Sequence, residues 1–475
     1  MPQAFILKYF NGGISDYEDK GVRGAFKDGK ALSIRRRKDS LYCNQALVNI
    51  DSTETPVIDQ IVRFRVIASD GNTYFFGTSK IYKYTSAGVL SLVYTDPDGQ
   101  IAGAAEWWIS NGKKYLFWAT STKLKCKEIP GNADWTVDVN ANVVVGATTY
   151  TYPKINLTAA TWHTMVMANG ALMICNGNYL AMVGWDGSYT NEALRLLPDH
   201  KAKAIIDRDD YAVVASETFS GRKNAALFLW ESGSLNFLKK KKIPAAKINA
   251  LIDGEIMLMQ GDDDGEIFFS DFVNYLPVIS FPSGGQVNPE AIVEDEGIIY
   301  FGVYGSDDAT KDGVYSYGRN KKNGEFALNF EYPVTCDEIG MLEVIGGLLH
   351  VSYKTGSSYR IYKVNTAAKQ TAVYESIDLS APLNQNLETT NWLHIEVLCK
   401  ALPANTSIGL KYRANKDDSW TTAYLDGDTE LLDVDNAVKA TFVIGTLGEI
   451  FEVQVTLNPS ANVSPEVYQI RIFFE

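Results

Sequence analysis

The sequence predicts an all-β protein: a seven-bladed β-propeller of four-stranded blades, with an N-terminal arm before it and a C-terminal β-sandwich after it. Three observations lead there. Helical periodicity is nearly absent, and the chain reads as short runs rich in Val, Ile, Tyr, Phe and Trp. Seven segments repeat one pattern: an apolar strand, a two-residue turn, then a second apolar strand. The second residues of those turns step by 41, 58, 40, 44, 43 and 50 positions, the spacing of a propeller blade.

The arm, residues 1–58, opens with "KYFNGGISDYEDKGVRGAFKDGKALSIRRRKDSL" (Lys8 to Leu41). Gly12, Gly13, Gly21, Gly24 and Gly29 make its first part too glycine-rich for a regular element. The stretch "ALSIRRRKDSLYCNQAL" alternates as a strand, with Leu32, Ile34 and Arg36 on one face and Ser33, Arg35 and Arg37 on the other. It is expected to add an outer strand to a blade or to lie across one face of the ring.

The ring, residues 59–380, is read from its turns: Asp70-Gly71, Asn111-Gly112, Asn169-Gly170, Asp209-Asp210, Asp253-Gly254, Glu296-Gly297 and Gly346-Gly347. Such pairs take positive φ cheaply and close tight hairpins. A third and fourth strand follow each hairpin, from "KIYKYTSAGVLSLVY" in the first blade to "RIYKVNTAAKQTAVYESI" in the last. The second blade carries the longest step. Its extra "NANVVVGATTYTYPKINLTAATW" (Asn140 to Trp162) reads as an added hairpin or loop. A four-stranded sheet cannot bury both faces alone, and a closed ring of sheets can. Six or eight blades, or a row of separate sandwiches, are the alternatives. After the polar linker "LSAPLNQNLETTN", alternating strands from "WLHIEVLCKAL" to "VYQIRIFFE" predict a sandwich over 384–475.

Composition bounds the function. The chain has 475 residues, 46% hydrophobic and 21% charged, enough to bury a large core. A net charge of −13 argues against gripping nucleic acid. Cys43, Cys126, Cys175, Cys336 and Cys399 are scattered and odd in number, which argues against a disulfide framework and for folding in a reducing cytoplasm. No signal peptide or membrane span is expected.

Candidate chemistry is sparse. His163, His200, His350 and His394 form no zinc motif, and neither a phosphate loop nor a nucleophile elbow is present. No catalytic residue is nominated, and neither an enzymatic activity nor a cofactor is expected. Asp262, Asp263, Asp264 and Glu266 form the densest acidic cluster, read as a solvated turn with calcium as the alternative. The run Lys239, Lys240, Lys241 and Lys242 reads as a strand edge that discourages aggregation, or as a contact for phosphate or an acidic partner. Arg35, Arg36 and Arg37 are interface candidates, because arginine binds carboxylates bidentately. Sugar binding would need exposed tryptophans beside carboxylates at one mouth of the ring. Trp107, Trp108, Trp118, Trp135, Trp185 and Trp230 are the candidates, most at strand positions suited to the core.

The stretch "FNGGIS", the spacer "DYEDKGVRG" and "GKALSIRRRKDSL" ahead of a propeller resemble the N-terminus of tail structural proteins of tailed bacteriophages, of the nozzle or tail-tip kind. "MANGALMICNGNYLAMVGWDGSYTNEALRLLP" and the C-terminal "GEIFEVQVTLNPSANVSPEVYQIRIFFE" are similar to segments of phage structural proteins. The resemblance implies a virion tail component (nozzle, baseplate or tail-tip), made in the host cytoplasm and acting as a rigid docking ring. Its partners would be other phage tail proteins in an oligomer or ring, with a possible passive DNA conduit. Two other readings compete: a carbohydrate-binding or carbohydrate-cleaving propeller, and a cellular protein–protein interaction scaffold.

Overall fold

The computed structural model describes residues 2–15, 24–35, 39–51, 56–138, 142–209, 211–320, 324–380, 389–425 and 428–475. Among them the only helical turns are Trp135–Asp138 and Ala309–Lys311. All else is strand and turn, as the β-branched and aromatic runs require.

Antiparallel sheets follow one another along the chain. The first comprises Phe64–Ile67, Thr73–Phe76, Lys80–Tyr84 and Leu90–Thr95. The second comprises Gly103–Trp108, Lys114–Ala119 and Leu124–Ile129. The third runs from Met165–Ala168 to Tyr189–Arg195, the fourth from His200–Arg208 to Lys239–Lys242, and the fifth from Ile248–Asp253 to Tyr275–Ser280. A sixth contains Gln286–Asp295, Ile298–Tyr304, Gly313–Arg319 and Phe326–Pro333, and a seventh contains Glu338–Ile345, Leu348–Thr355 and Ser358–Lys369. Apart from Asp209-Asp210, whose second residue lies outside the described residues, the predicted turns join first strands to second strands, and Gly71, Gly112, Gly170, Gly297 and Gly347 all take positive φ. In the fifth sheet the connection is looser and runs from Gly254 to Ile256.

The first strand of each sheet lies against the first strand of the next, and Glu338–Ile345 returns to Phe64–Ile67. This is a β-propeller arrangement, in which each sheet covers its neighbours' faces. Phe64 and Val66 of the first sheet pack with Leu116 and Trp118 of the second. On its other face Phe75 and Tyr82 pack with Met341 and Ile361 of the seventh. Two glycines permit the closest approaches. A Cβ on Gly103 would lie 1.8 Å from the His163 carbonyl oxygen, and one on Gly340 2.0 Å from that of Val62.

Three expectations change. In the second sheet "DWTVD" is not a fourth strand: Trp135 starts a helical turn and its indole joins Tyr74, Tyr94 and Trp118 between the first two sheets. The inserted segment does form the expected extra hairpin, Asn142–Val145 with Thr148–Thr151. In the seventh sheet the fourth strand is not "TAVYE" but Gln45–Asn49 from the N-terminal segment, paired antiparallel with Ser358–Lys369. Ala372–Glu375 instead pairs with the strand Ile450–Asn458, because buried Tyr374 packs on Phe10 and Phe26, away from the ring.

The third change is the arm itself, which is folded into the body. Phe10, Ile14, Phe26, Leu32, Ile34, Leu41 and Cys43 are all buried. Gln3–Leu7 pairs with Glu466–Phe474, Gly13–Ile14 extends the sixth sheet at Leu328, and Asp28–Lys30 pairs with Val373, Tyr374 and Glu375. In place of the long alternating strand expected around the arginines, the described residues on either side pair: Leu32 bridges Cys43 antiparallel, and the Ser33 amide donates to the Tyr42 carbonyl at 2.9 Å. The glycines serve close crossing: a Cβ on Gly12 would meet the Ala25 nitrogen at 2.3 Å.

Beyond the ring stand two further sheets. One is centred on Glu466–Phe474, Thr390–Cys399 and Lys439–Gly448, the other on Ser407–Arg413, Ile450–Asn458 and Ala372–Glu375. Trp392 of the former stacks on Phe451 of the latter at 4.5 Å. Their buried residues are continuous with those of the sixth and seventh sheets.

Candidate binding cleft at the ring axis

Irregularities at the starts of the first strands build the candidate site. Pairing shifts between Ala202 and Ala204, Ile248 and Ala250, Val287 and Ile292, and Ile339 and Met341. Such bulges re-aim side chains. Here they free Lys203, Asn249 and Asn288 from the ladders, and these side chains tie neighbouring sheets. Thr164 Oγ1 donates to the Lys203 carbonyl at 2.7 Å, Lys203 Nζ to Asn249 Oδ1 at 2.7 Å, and Asn288 Nδ2 to the Ile339 carbonyl at 2.8 Å. Arg63 Nε and Nη2 donate to Glu338 at 2.7 and 3.0 Å, linking the first sheet to the seventh.

Over this polar rim lies the segment Thr158–Trp162, which separates two cavities. One, of ≈380 Å³, is lined by Trp162, Gly177, Lys201, Lys203, Glu217 and Phe219. The other, of ≈490 Å³, is lined by Arg63, Thr78, Gln100, Ile101 and Ser121, and shares the wall Ala159–Thr161. Trp162 packs edge-on against Phe64 at 5.5 Å, and the Arg63 guanidinium lies 5.9 Å from its ring. Phe219 is 60% exposed, with Lys201 Nζ 5.6 Å from its ring.

The charges are paired but strained by burial. Burial pushes the Lys203 ammonium below its ordinary value, against the pull of Glu217 at 3.3 Å. Burial also opposes ionisation of Glu217, but Lys203 and Lys201 outweigh it and hold the carboxyl below the usual range. Burial works against the Arg63 guanidinium, and Glu338 more than offsets it. The cleft thus offers an aromatic and small-residue floor beside cations shared among few carboxylates, a setting for an extended chain carrying acidic and apolar groups.

Ion pairs also link first strands further along their length. Arg65 pairs with Glu290 of the sixth sheet and, at 2.7 Å, with Glu343 of the seventh. All three side chains are largely buried. One arginine thus ties the first strands of three sheets together.

The residues singled out from sequence lie elsewhere. Arg35 turns inward: Nη1 meets Ser316 Oγ at 2.5 Å and Glu331 Oε1 at 3.0 Å, and Nη2 donates to the Ala327 carbonyl at 2.7 Å. Its carboxylate partner is in its own chain, so it is no outward interface group. Arg36 and Arg37 lie outside the described residues. Lys239–Lys242 form the outer strand of the fourth sheet. Lys241 bonds the Val273 carbonyl and sits 5.6 Å from the Tyr275 ring of the fifth. The acidic cluster is dispersed onto lysines and backbone. Asp263 pairs with Lys247 at 2.6 Å, and Asp262 accepts from the Ala246 and Lys247 amides at 2.8 and 3.1 Å. Asp262 and Asp264 share Lys223 at 3.6 and 3.7 Å. Among the described residues no group of three or more His, Cys, Asp and Glu side chains is placed to hold a metal ion. Sequence reasoning missed Arg63, Lys203 and Trp162; the signal within reach was "TAATW", the end of the longest insertion.

No family model matches the chain, and no curated protein does. Solved structures similar to it include the mitotic checkpoint complex (10% identity, 67% of this chain and 94% of that one, TM-score 0.46). Virginiamycin B lyase from Staphylococcus aureus is similar over 67% of this chain and 99% of that one (13% identity, TM-score 0.46). The Neurospora crassa Pan2 WD40 domain is similar over 68% and 95% (7% identity, TM-score 0.44). None of these is a phage tail protein, and the resemblance to nozzle and tail-tip proteins drawn from the N-terminal motifs is withdrawn.

Proposed function

We propose that the chain is a protein–protein interaction scaffold that receives a segment of a partner protein in the axial cleft. In this reading the ring has seven blades, the last completed by Gln45–Asn49, and the two C-terminal sheets form a β-sandwich held to the ring by the N-terminal segment. The closed sequence of contacts among first strands supports the blade count, and the Trp392–Phe451 stack supports the sandwich. The function is binding, without chemistry. Five buried cysteines that form no disulfide favour a reducing compartment.

One observation carries the functional reading: the exposed Phe219 and half-buried Trp162 flank Lys201 and Lys203 in one cavity. Aromatic anchors in a partly desolvated cleft are the usual centre of a protein interface. The test is site-specific photo-crosslinking in the native cell from position 219, with position 240 on the outer strand as control. A discrete protein adduct from 219 that disappears with Trp162→Ala is expected. Equal labelling from both positions would refute the cleft as the docking site.

A further inference from the structure

On the opposite edge of the sheets, the turns after first and third strands carry a second constellation that the axial cleft does not use. Trp108 ends the first strand of the second sheet, and Trp185 follows the strand Tyr179–Gly184 of the third. The Ser110 amide donates to the Trp185 carbonyl at 2.8 Å, locking the two turns together. Their indoles are 6.4 Å apart at 50°, and Trp185 rests edge-on against buried Trp107, also at 6.4 Å. Trp108 is 49% exposed and Trp185 52%. The other four tryptophans considered from sequence, Trp107, Trp118, Trp135 and Trp230, are buried.

The wall beside this platform is the hairpin Asn142–Val145 with Thr148–Thr151, inserted in the second sheet. Asn111 Nδ2 donates to the Val144 carbonyl at 2.9 Å. The Tyr150 hydroxyl donates to Asp186 Oδ2 at 3.4 Å. Gly187 packs so closely on the hairpin that a Cβ there would meet Val143 at 3.0 Å and Tyr150 at 3.2 Å. In repeat architectures, insertions in a single repeat commonly furnish the binding face. The polar groups at the rim are Asp186, Tyr150, Asn111 and Lys114.

We propose that Trp108 and Trp185, walled by the inserted hairpin, form a binding site for a neutral saccharide. Two locked indoles offer flat apolar area at little entropic cost. Asp186 and Tyr150 accept and donate at the rim, which a pyranose meets with hydroxyls around an apolar C–H face. A purely apolar partner would strip water from the Asp186 carboxylate, which Tyr150 and Ser188 bond, at a desolvation cost. A cationic ligand would compete with Lys114, whose Nζ already lies 5.2 Å from the Trp108 ring. An anionic ligand would face the Asp186 carboxylate.

The experiment screens the intact chain on a glycan array, then titrates neutral gluco-, manno-, galacto- and N-acetylglucosamine hexasaccharides while following tryptophan fluorescence. At least one should bind saturably. Trp108→Ala and Trp185→Ala should each weaken it about tenfold, Asp186→Asn less, and Phe219→Ala not at all. Both tryptophans are half exposed, so an unchanged thermal melt confirms that the variants fold. No saturable saccharide binding, or binding indifferent to both tryptophans, overturns the proposal. So does loss of a protein partner in the same variants, which would make this face a protein interface. Because Phe219 lies on the other edge, failure here leaves the axial cleft standing, and the reverse also holds.

Discussion

The fourth and fifth sheets and the seventh sheet reach the same four-stranded end by different routes. The fourth and fifth are each woven from one contiguous stretch, 200–242 and 248–280. The seventh takes three strands from 338–369 and its outer strand from 45–49. The same N-terminal segment extends the sixth sheet and both C-terminal sheets. Local sheets are specified by their own turns. The stitched sheets depend on contacts whose partners are distant in sequence, so damage to that segment spreads to four sheets.

The largest expected effect is deletion of residues 1–50. It removes the seventh sheet's outer strand and the buried Phe10, Phe26, Leu32 and Leu41 together. Cooperative thermal unfolding should vanish; a sharp melt within a few degrees of the parent would show that the stitching is dispensable. Next comes Arg35→Ala. It strands Glu331 beside Ser316 in the interior and should cost about 3 kcal/mol by denaturant titration, as loss of one partner of a buried pair does. Gly340→Ala, at the join between seventh and first sheets, should cost about 2 kcal/mol through overpacking on the Val62 carbonyl.

A smaller effect depends on pH. Burial lowers the His350 imidazole of the seventh sheet from 6.5 to about 4, with Lys363 acting in the same direction and Glu343 and the Leu348 carbonyl opposing. The unfolded chain takes up a proton near 6.5 while the folded one stays neutral. His350 therefore favours folding fully above 6.5 and loses that contribution as pH falls toward 4. Replacing it by leucine should flatten the stability profile in that window; an unchanged slope would place the titration elsewhere. The smallest effect should come from the local sheets' surface. Lys240→Met on the outer strand of the fourth sheet should change stability by no more than about 0.5 kcal/mol.

The contrast also explains what could be read in advance. Asp70-Gly71, Asn111-Gly112 and Glu296-Gly297 announce their hairpins because positive φ is a local demand met by local residues. The inserted hairpin at 142–151 was legible for the same reason. "TAVYE" has strand character, but which sheet receives it is decided by Tyr374 meeting Phe10 and Phe26 across most of the chain's length. The triple arginine illustrates the same limit, since nothing near Arg35 in sequence announces Glu331. The axial cleft was the least legible feature. Lys203 reaches Asn249, and Asn288 reaches Ile339, only through bulges in three successive sheets, and each alone is an unremarkable polar residue in a strand.

The outer strand of the seventh sheet is synthesised long before the three strands it joins. Residues 45–49 must wait for Ser358–Lys369, about 300 residues later, roughly 15–60 s at ordinary rates of synthesis. During that interval a short β-forming segment with exposed backbone amides waits beside growing sheets whose own outer strands are open. The ring is thus a device with a timed latch. Its yield in the cell should depend on what keeps that strand from pairing early, as well as on the stability of the finished molecule.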